Sequence, residues 1–189
     1  VLQYPLSQTA SEISVYRSAL PANNDSLNYW NEMFSLFNNF HSKIAIAHLR
    51  AATSGASDIP NPHPWVFEGE KTFSFVHNGG ASKDLLYDII TEYGINEEWL
   101  IQNPPQTFGS GDWKSEGWSA VVDSELIMLL IMKMITAQGD VIEGLNIALK
   151  LMLEAGINPY MLNFVFSDSN NLYLYGGVNG LKILETEGY

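Results

Sequence analysis

Cysteine is missing from all 189 residues. The chain therefore forms no disulfide, holds no zinc or iron–sulfur cluster through thiolates, and carries no thiol nucleophile of its own. Basic residues are scarce. Nine Lys and Arg stand against 21 Asp and Glu, a formal net charge of −12. A field of that sign repels phosphate backbones and anionic lipid surfaces, so no nucleic-acid partner and no membrane association are expected. No run reaches ~18 uninterrupted apolar residues, the length a bilayer-crossing helix needs. The opening Val1-Leu2-Gln3-Tyr4-Pro5 has neither an initiating Met nor the charged-then-apolar pattern of a secretory signal. The expectation is a processed chain or the middle of something longer, in the cytoplasm.

What is present is material for a core. Residues of hydrophobic type make up 46% and aromatics 12%, which argues for a packed domain over disorder. A chain of this length buries about 70% of its unfolded surface when it folds as one unit. No repeat, low-complexity block or linker divides it, so residues 1–189 are expected to form a single domain.

The periodicity changes along the chain. Leu27, Trp30, Phe34 and Phe37, with Met33 alongside, predict a helix capped by Asp25 or Ser26. Lys43 to Arg50 is short, apolar and β-branched and predicts a buried strand. Ala51 to Pro64 is a loop by composition. Thr72 to His77 alternates as a half-buried strand does, and Asn78-Gly79-Gly80 predicts a sharp turn with positive φ. Three helices are then expected. The first runs from Lys83 to Tyr93, capped by Ser82 and stopped by Gly94. The second spans Asp123 to Gln138 and is apolar nearly all round. The third starts near Asp140 and ends near Gly156. Gln102 to Trp118 reads as a long loop. Met161–Ser167 and Leu172–Tyr175 flank Asp168-Ser169-Asn170-Asn171 as a hairpin, with a further strand at Leu181–Glu185. Strands, a block of helices and a hairpin predict an α+β fold, helices layered on a mostly antiparallel sheet.

Four short stretches concentrate the chemistry: His48 to Gly55 (His-Leu-Arg-Ala-Ala-Thr-Ser-Gly), Asn61-Pro62-His63-Pro64-Trp65, His77-Asn78-Gly79-Gly80, and Asp123-Ser124-Glu125. Each has an ordinary reading. Arg50 pairs with a surface acid, Asn78-Gly79 makes a tight turn, and Asp123 caps its helix for about 1 kcal/mol. Each also has a functional one. A guanidinium fork grips a carboxylate, and an amide beside a glycine stabilises an oxyanion. His48, His63 and His77 lack the spacing of a zinc site, so no metal and no other cofactor is expected. Trp113 and Trp118 either cover a substrate or bury a loop.

Taken in order, the four stretches resemble the class II glutamine amidotransferase domain, an N-terminal-nucleophile hydrolase family. The resemblance is strongest over 44–135 and weaker to about Gly177, where Phe166-Ser167-Asp168 looks like the family's late hairpin. It implies a four-layer αββα sandwich, either whole or incomplete at both ends. It implies that glutamine is hydrolysed to glutamate and ammonia, with nitrogen passed to an acceptor-binding domain or subunit. Arg50 and Thr53 would hold the α-carboxylate and Asp123 the α-amino group. Asn78 and Gly79 would form the oxyanion hole. The family's nucleophile is an N-terminal cysteine with its own α-amino group as base. That cysteine and the Gly-Trp-Gly stretch after it are not in this sequence. Two expectations follow: either these residues are the central portion of a longer amidotransferase, or the pocket survives as a catalytically inactive glutamine- or amino-acid-binding module.

Overall fold

The computed structural model describes residues 2–3, 14–39, 44–49, 61, 63–107, 112–177 and 182; for Leu2, Gln3 and Phe37 it describes the backbone only. Among these residues, seven strands and five helices follow in the order β1 (Leu2–Gln3), β2 (Ser14–Val15), α1 (Ser26–Asn38), β3 (Ala45–Ile46), β4 (Trp65–Glu68), β5 (Thr72–Gly79), α2 (Lys83–Ile90), α3 (Glu98–Gln102), α4 (Asp123–Gln138), α5 (Val141–Glu154), a 3₁₀ turn (Pro159–Met161), β6 (Leu162–Ser167) and β7 (Leu172–Tyr175). The fold is α+β, as the order of periodic segments predicts.

A four-stranded antiparallel sheet, β4-β5-β6-β7, forms the centre, and β2-β1-β3 pair as a smaller antiparallel sheet. Alternation along β5 sorts its side chains. Phe73, Phe75 and His77 face α4, while Val76 faces Ile46 of β3. Pairing of Phe75 with Phe166 and His77 with Phe164 puts the aromatic residues of β5 and β6 on the same face. On the other face, Val66, Val76 and Val165 meet Val15, Ile44 and Ile46. The order of layers is thus helices, large sheet, small sheet.

Helix α4 is buried on every side from Ser124 to Met132, where it carries no polar residue between Glu125 and Lys133. Leu126, Ile127, Leu130 and Ile131 are fully enclosed, each a burial worth roughly 1.5–3 kcal/mol. It lies between the sheet, α2 and α5. Gly139 at φ +68° ends it, and Asp140 caps α5 by accepting from the Glu143 N–H at 2.8 Å. No helix among the described residues is long and apolar enough to cross a membrane.

Several expectations need correction. The α1 stripe does not face the core: Leu27, Trp30 and Phe34 are 72%, 57% and 63% exposed, and the buried residue is Leu36. Asp25 sits at the cap position of α1, yet its carboxylate accepts from Asn28 and Tyr16 side chains and not from the helix backbone. Helix α2 stops at Ile90 and not at Tyr93, because the Thr91 hydroxyl donates to the Tyr87 carbonyl and accepts the Gly94 N–H. The strand read from Lys43 to Arg50 is regular only at Ala45–Ile46 within the described residues. Strands β1, β2 and β4 and helix α3 appear where none was expected. The strand read at Leu181–Glu185 lies outside the described residues apart from Lys182.

Candidate functional site

The site begins at the end of β5. Asn78 and Gly79 do not turn: they continue the strand, paired with Asn163 and Leu162 of β6, and neither Gly79 nor Gly80 has positive φ. The Asn-Gly-Gly signal for a turn is overridden by β6, which supplies partners for the extended backbone. Asn163 donates its amide to the carbonyls of Asn78 (3.1 Å) and Tyr160 (2.8 Å). Gly79 is needed here for space. A Cβ at this position would overlap the Met161 carbonyl oxygen and lie 2.5 Å from its carbon. The Gly80 N–H donates to that same Met161 oxygen at 3.2 Å.

One residue later the chain reaches α4. Oδ2 of Asp123 accepts the Ala81 N–H at 2.8 Å. Asp123 is not the cap of α4, which is Val122 in extended conformation. It occupies the first turn, where the helix dipole favours a carboxylate. Its other oxygen accepts no hydrogen bond from the described residues. Asn78, Gly79 and Asp123 are therefore joined through the four-residue path Asn78 to Ala81, and Asn78 is exposed.

His77 fixes this junction from beneath. Its Nε2–H donates to the Met161 carbonyl at 2.8 Å, which leaves Nδ1 to accept from the Ser124 hydroxyl at 3.0 Å. Burial holds the imidazole below its ordinary pKa, against the opposing pull of the Met161 carbonyl and the Asp123 charge. A second histidine, His48, donates from Nε2 to the His77 carbonyl at 3.1 Å and lies tilted against His63, with 4.2 Å between ring centroids. Among the described residues, no group of three His, Asp or Glu side chains is arranged to hold a metal ion.

Lys83 closes the other side. Its ammonium donates to the carbonyls of Trp118 (2.7 Å) and Val121 (2.8 Å) and lies over the Trp118 ring at 5.1 Å. Burial lowers its pKa, while Asp84 and Asp123 raise it. Trp113 and Trp118 pack on Tyr87 of α2, which anchors residues 113–118 to that helix.

Of the residues singled out in the sequence, the structure brings together Asn78, Gly79 and Asp123. Arg50 and Thr53 lie outside the described residues. Sequence reasoning missed Ser124, Lys83 and Met161. Ser124 stood within the Asp-Ser-Glu stretch, but nothing in the sequence signals a contact made through the main-chain carbonyl of Met161. No known protein family, no curated protein and no solved structure matches the chain.

Proposed function

We propose that this chain forms the substrate pocket of a glutamine amidotransferase of class II, whose complete reaction takes glutamine and water to glutamate and ammonia. The observation that carries the reading is the Asp123 carboxylate, which accepts at 2.8 Å from the N–H of Ala81, three residues along the chain from Asn78, and keeps one oxygen that no described residue engages. An ammonium group bound there leaves the far end of an extended amino acid free to reach another part of the pocket. In this reading Asp123 takes the α-amino group, Arg50 and Thr53 the α-carboxylate, and Asn78 with Gly79 the side-chain carbonyl oxygen as it gains charge. Preorganised donors of that kind are worth about 10²–10³ in turnover each.

The order of helices, large sheet and small sheet supports the αββα arrangement, whose second helical layer belongs to the proposal. A cytoplasmic location and an acceptor-binding domain or subunit belong to the same proposal. The hydrolytic step needs a nucleophile that these residues do not contain, so the chain alone forms no thioester. A second reading is a glutamine-binding module without turnover.

Calorimetry with L-glutamine tests the pocket, and ammonia release by the product of the whole gene separates the two readings. Asp123→Asn and Arg50→Ala are each expected to weaken glutamine binding at least about tenfold, since each leaves a ligand charge unpaired. Unchanged affinity in both folded variants counts against the pocket.

A further inference from the structure

A cavity of about 660 Å³ opens where the residues after β2, the edge strand β4, the segment following α3 and the start of α4 meet. Asn78, Gly79 and Asp123 are not in its wall. Trp65, Phe67 and Met128 form an apolar side; Arg17, Glu68 and Glu125 supply the charge.

Arg17 is the only arginine among the described residues, in a protein with 21 carboxylates, and it makes no ion pair among them. Its Nε and Nη2 both donate to the Pro64 carbonyl, at 3.1 and 2.6 Å. A guanidinium carries five N–H donors, so this anchoring fixes the plane and, among the described residues, leaves the Nη1 edge uncommitted. Burial strips water from it, which disfavours its charge, and Glu125 is the acid that acts on it from a distance.

Glu125 is fixed in the same manner. It is 5% exposed and accepts the Gln106 N–H (2.5 Å), the Thr107 N–H (3.3 Å) and the Thr107 hydroxyl (2.6 Å). Two opposite charges thus line one cavity, each held by backbone groups, and they do not touch. Trp65, 3% exposed, adds an indole N–H without an acceptor. A simple anion placed here meets two carboxylates, and a simple cation meets an unpaired guanidinium. A zwitterion satisfies both.

We propose that this cavity binds a free α-amino acid with an apolar side chain. Its carboxylate lies on Arg17, its ammonium against Glu125, and its side chain on Trp65, Phe67 and Met128. The volume falls within the range of small-molecule sites, which are mostly apolar with a few fixed polar groups. The site is separate from the glutamine pocket proposed above and does not depend on it.

The test is calorimetry on the unaltered chain with L-phenylalanine and L-leucine, beside L-phenylalaninamide, which lacks the carboxylate, and 3-phenylpropionate, which lacks the ammonium. The two amino acids are expected to bind, and each of the truncated compounds to bind about tenfold more weakly or worse. This comparison requires no variant to fold. Glu125→Gln, shown folded by circular dichroism, is expected to weaken phenylalanine by a similar factor while 3-phenylpropionate, relieved of one repelling carboxylate, binds at least as well as to the parent. Absence of binding by both amino acids at millimolar concentration, or equal binding of phenylalanine and its truncated analogues, overturns the proposal.

Discussion

His77 has both ring nitrogens committed, one to Met161 of the 3₁₀ turn and one to Ser124 of α4, and this makes it sensitive to acid. Its burial lowers the folded pKa below the ordinary value of about 6.5. Below that pH the unfolded chain takes up a proton that the folded one refuses, so stability falls as pH drops from about 6.5 toward the folded value. Glu125 has the opposite slope. Burial raises its pKa, so the folded state gains relative to the unfolded one as pH falls through the range above the ordinary carboxyl value. Comparing His77→Gln with the parent cancels the Glu125 contribution. Urea midpoints at pH 7.5 and 5.5 are expected to drop further in the parent than in His77→Gln. Equal drops mean that the imidazole titrates as it does in water.

Gly79 and Gly80 provide a matched pair of tests. Alanine at 79 drives a Cβ into the Met161 carbonyl, whereas at 80 the nearest atom is the end of the Met161 side chain at 3.4 Å. Overpacking against backbone costs about 1–3 kcal/mol, which for a domain of this size lowers Tm by roughly 2–12 °C. Gly80→Ala is expected to stay within about 0.5 kcal/mol of the parent. A calorimetric scan of both proteins distinguishes them, and equal melting temperatures contradict the close approach of β5 to Met161.

Between helices, the close approach is at Gly144. A Cβ there would stand 2.6 Å from the backbone N and Cα of Ile135, so the glycine is what lets α5 lie directly on α4. Alanine improves helix propensity by about 1 kcal/mol, yet here it must separate two buried helices. Gly144→Ala is expected to destabilise by about 1–3 kcal/mol net, measured by urea denaturation. Stabilisation would show that helix propensity outweighs packing. Nothing in the sequence marks this glycine, because a contact between helices leaves no local signal. The ends of α4 and α5 and the β6–β7 hairpin are legible for the opposite reason: Asp140, Gly139 and Asp168-Ser169-Asn170-Asn171 act through nearby backbone. Helix α3 is one turn and a half, too short for periodicity to register. Strand β4 follows a proline-rich stretch that reads as loop. The α1 stripe shows the limit of periodicity, which reports an apolar face without saying what covers it. At the candidate site, Asn78, Gly79 and Asp123 stood out as residue types, but the contacts that position them come from Met161 and Ser124, distant in sequence.

At the scale of the whole molecule, the charge of −12 is hardly compensated by ion pairs. Three are found among the described residues, Lys114–Glu97, Lys133–Glu92 and Lys150–Glu154, and the last is mostly exposed. Exposed pairs contribute about 0–1 kcal/mol each, so they offset little of the mutual repulsion among the acids. A domain of this length has a radius of gyration of about 16 Å. The Debye length is about 30 Å at 0.01 M salt and about 8 Å at 0.15 M. In dilute buffer each carboxylate is therefore felt across the whole fold, and at physiological ionic strength only by its neighbours. Unfolding relaxes the repulsion by spreading the charges, so low salt favours the unfolded chain. The expected result is a Tm that rises between 0.01 and 0.15 M NaCl at pH 7.5, by about 2–4 °C for each kcal/mol of repulsion screened. A Tm that falls over the same range would mean that the ion pairs, and not the unpaired acids, dominate the electrostatics of the folded state.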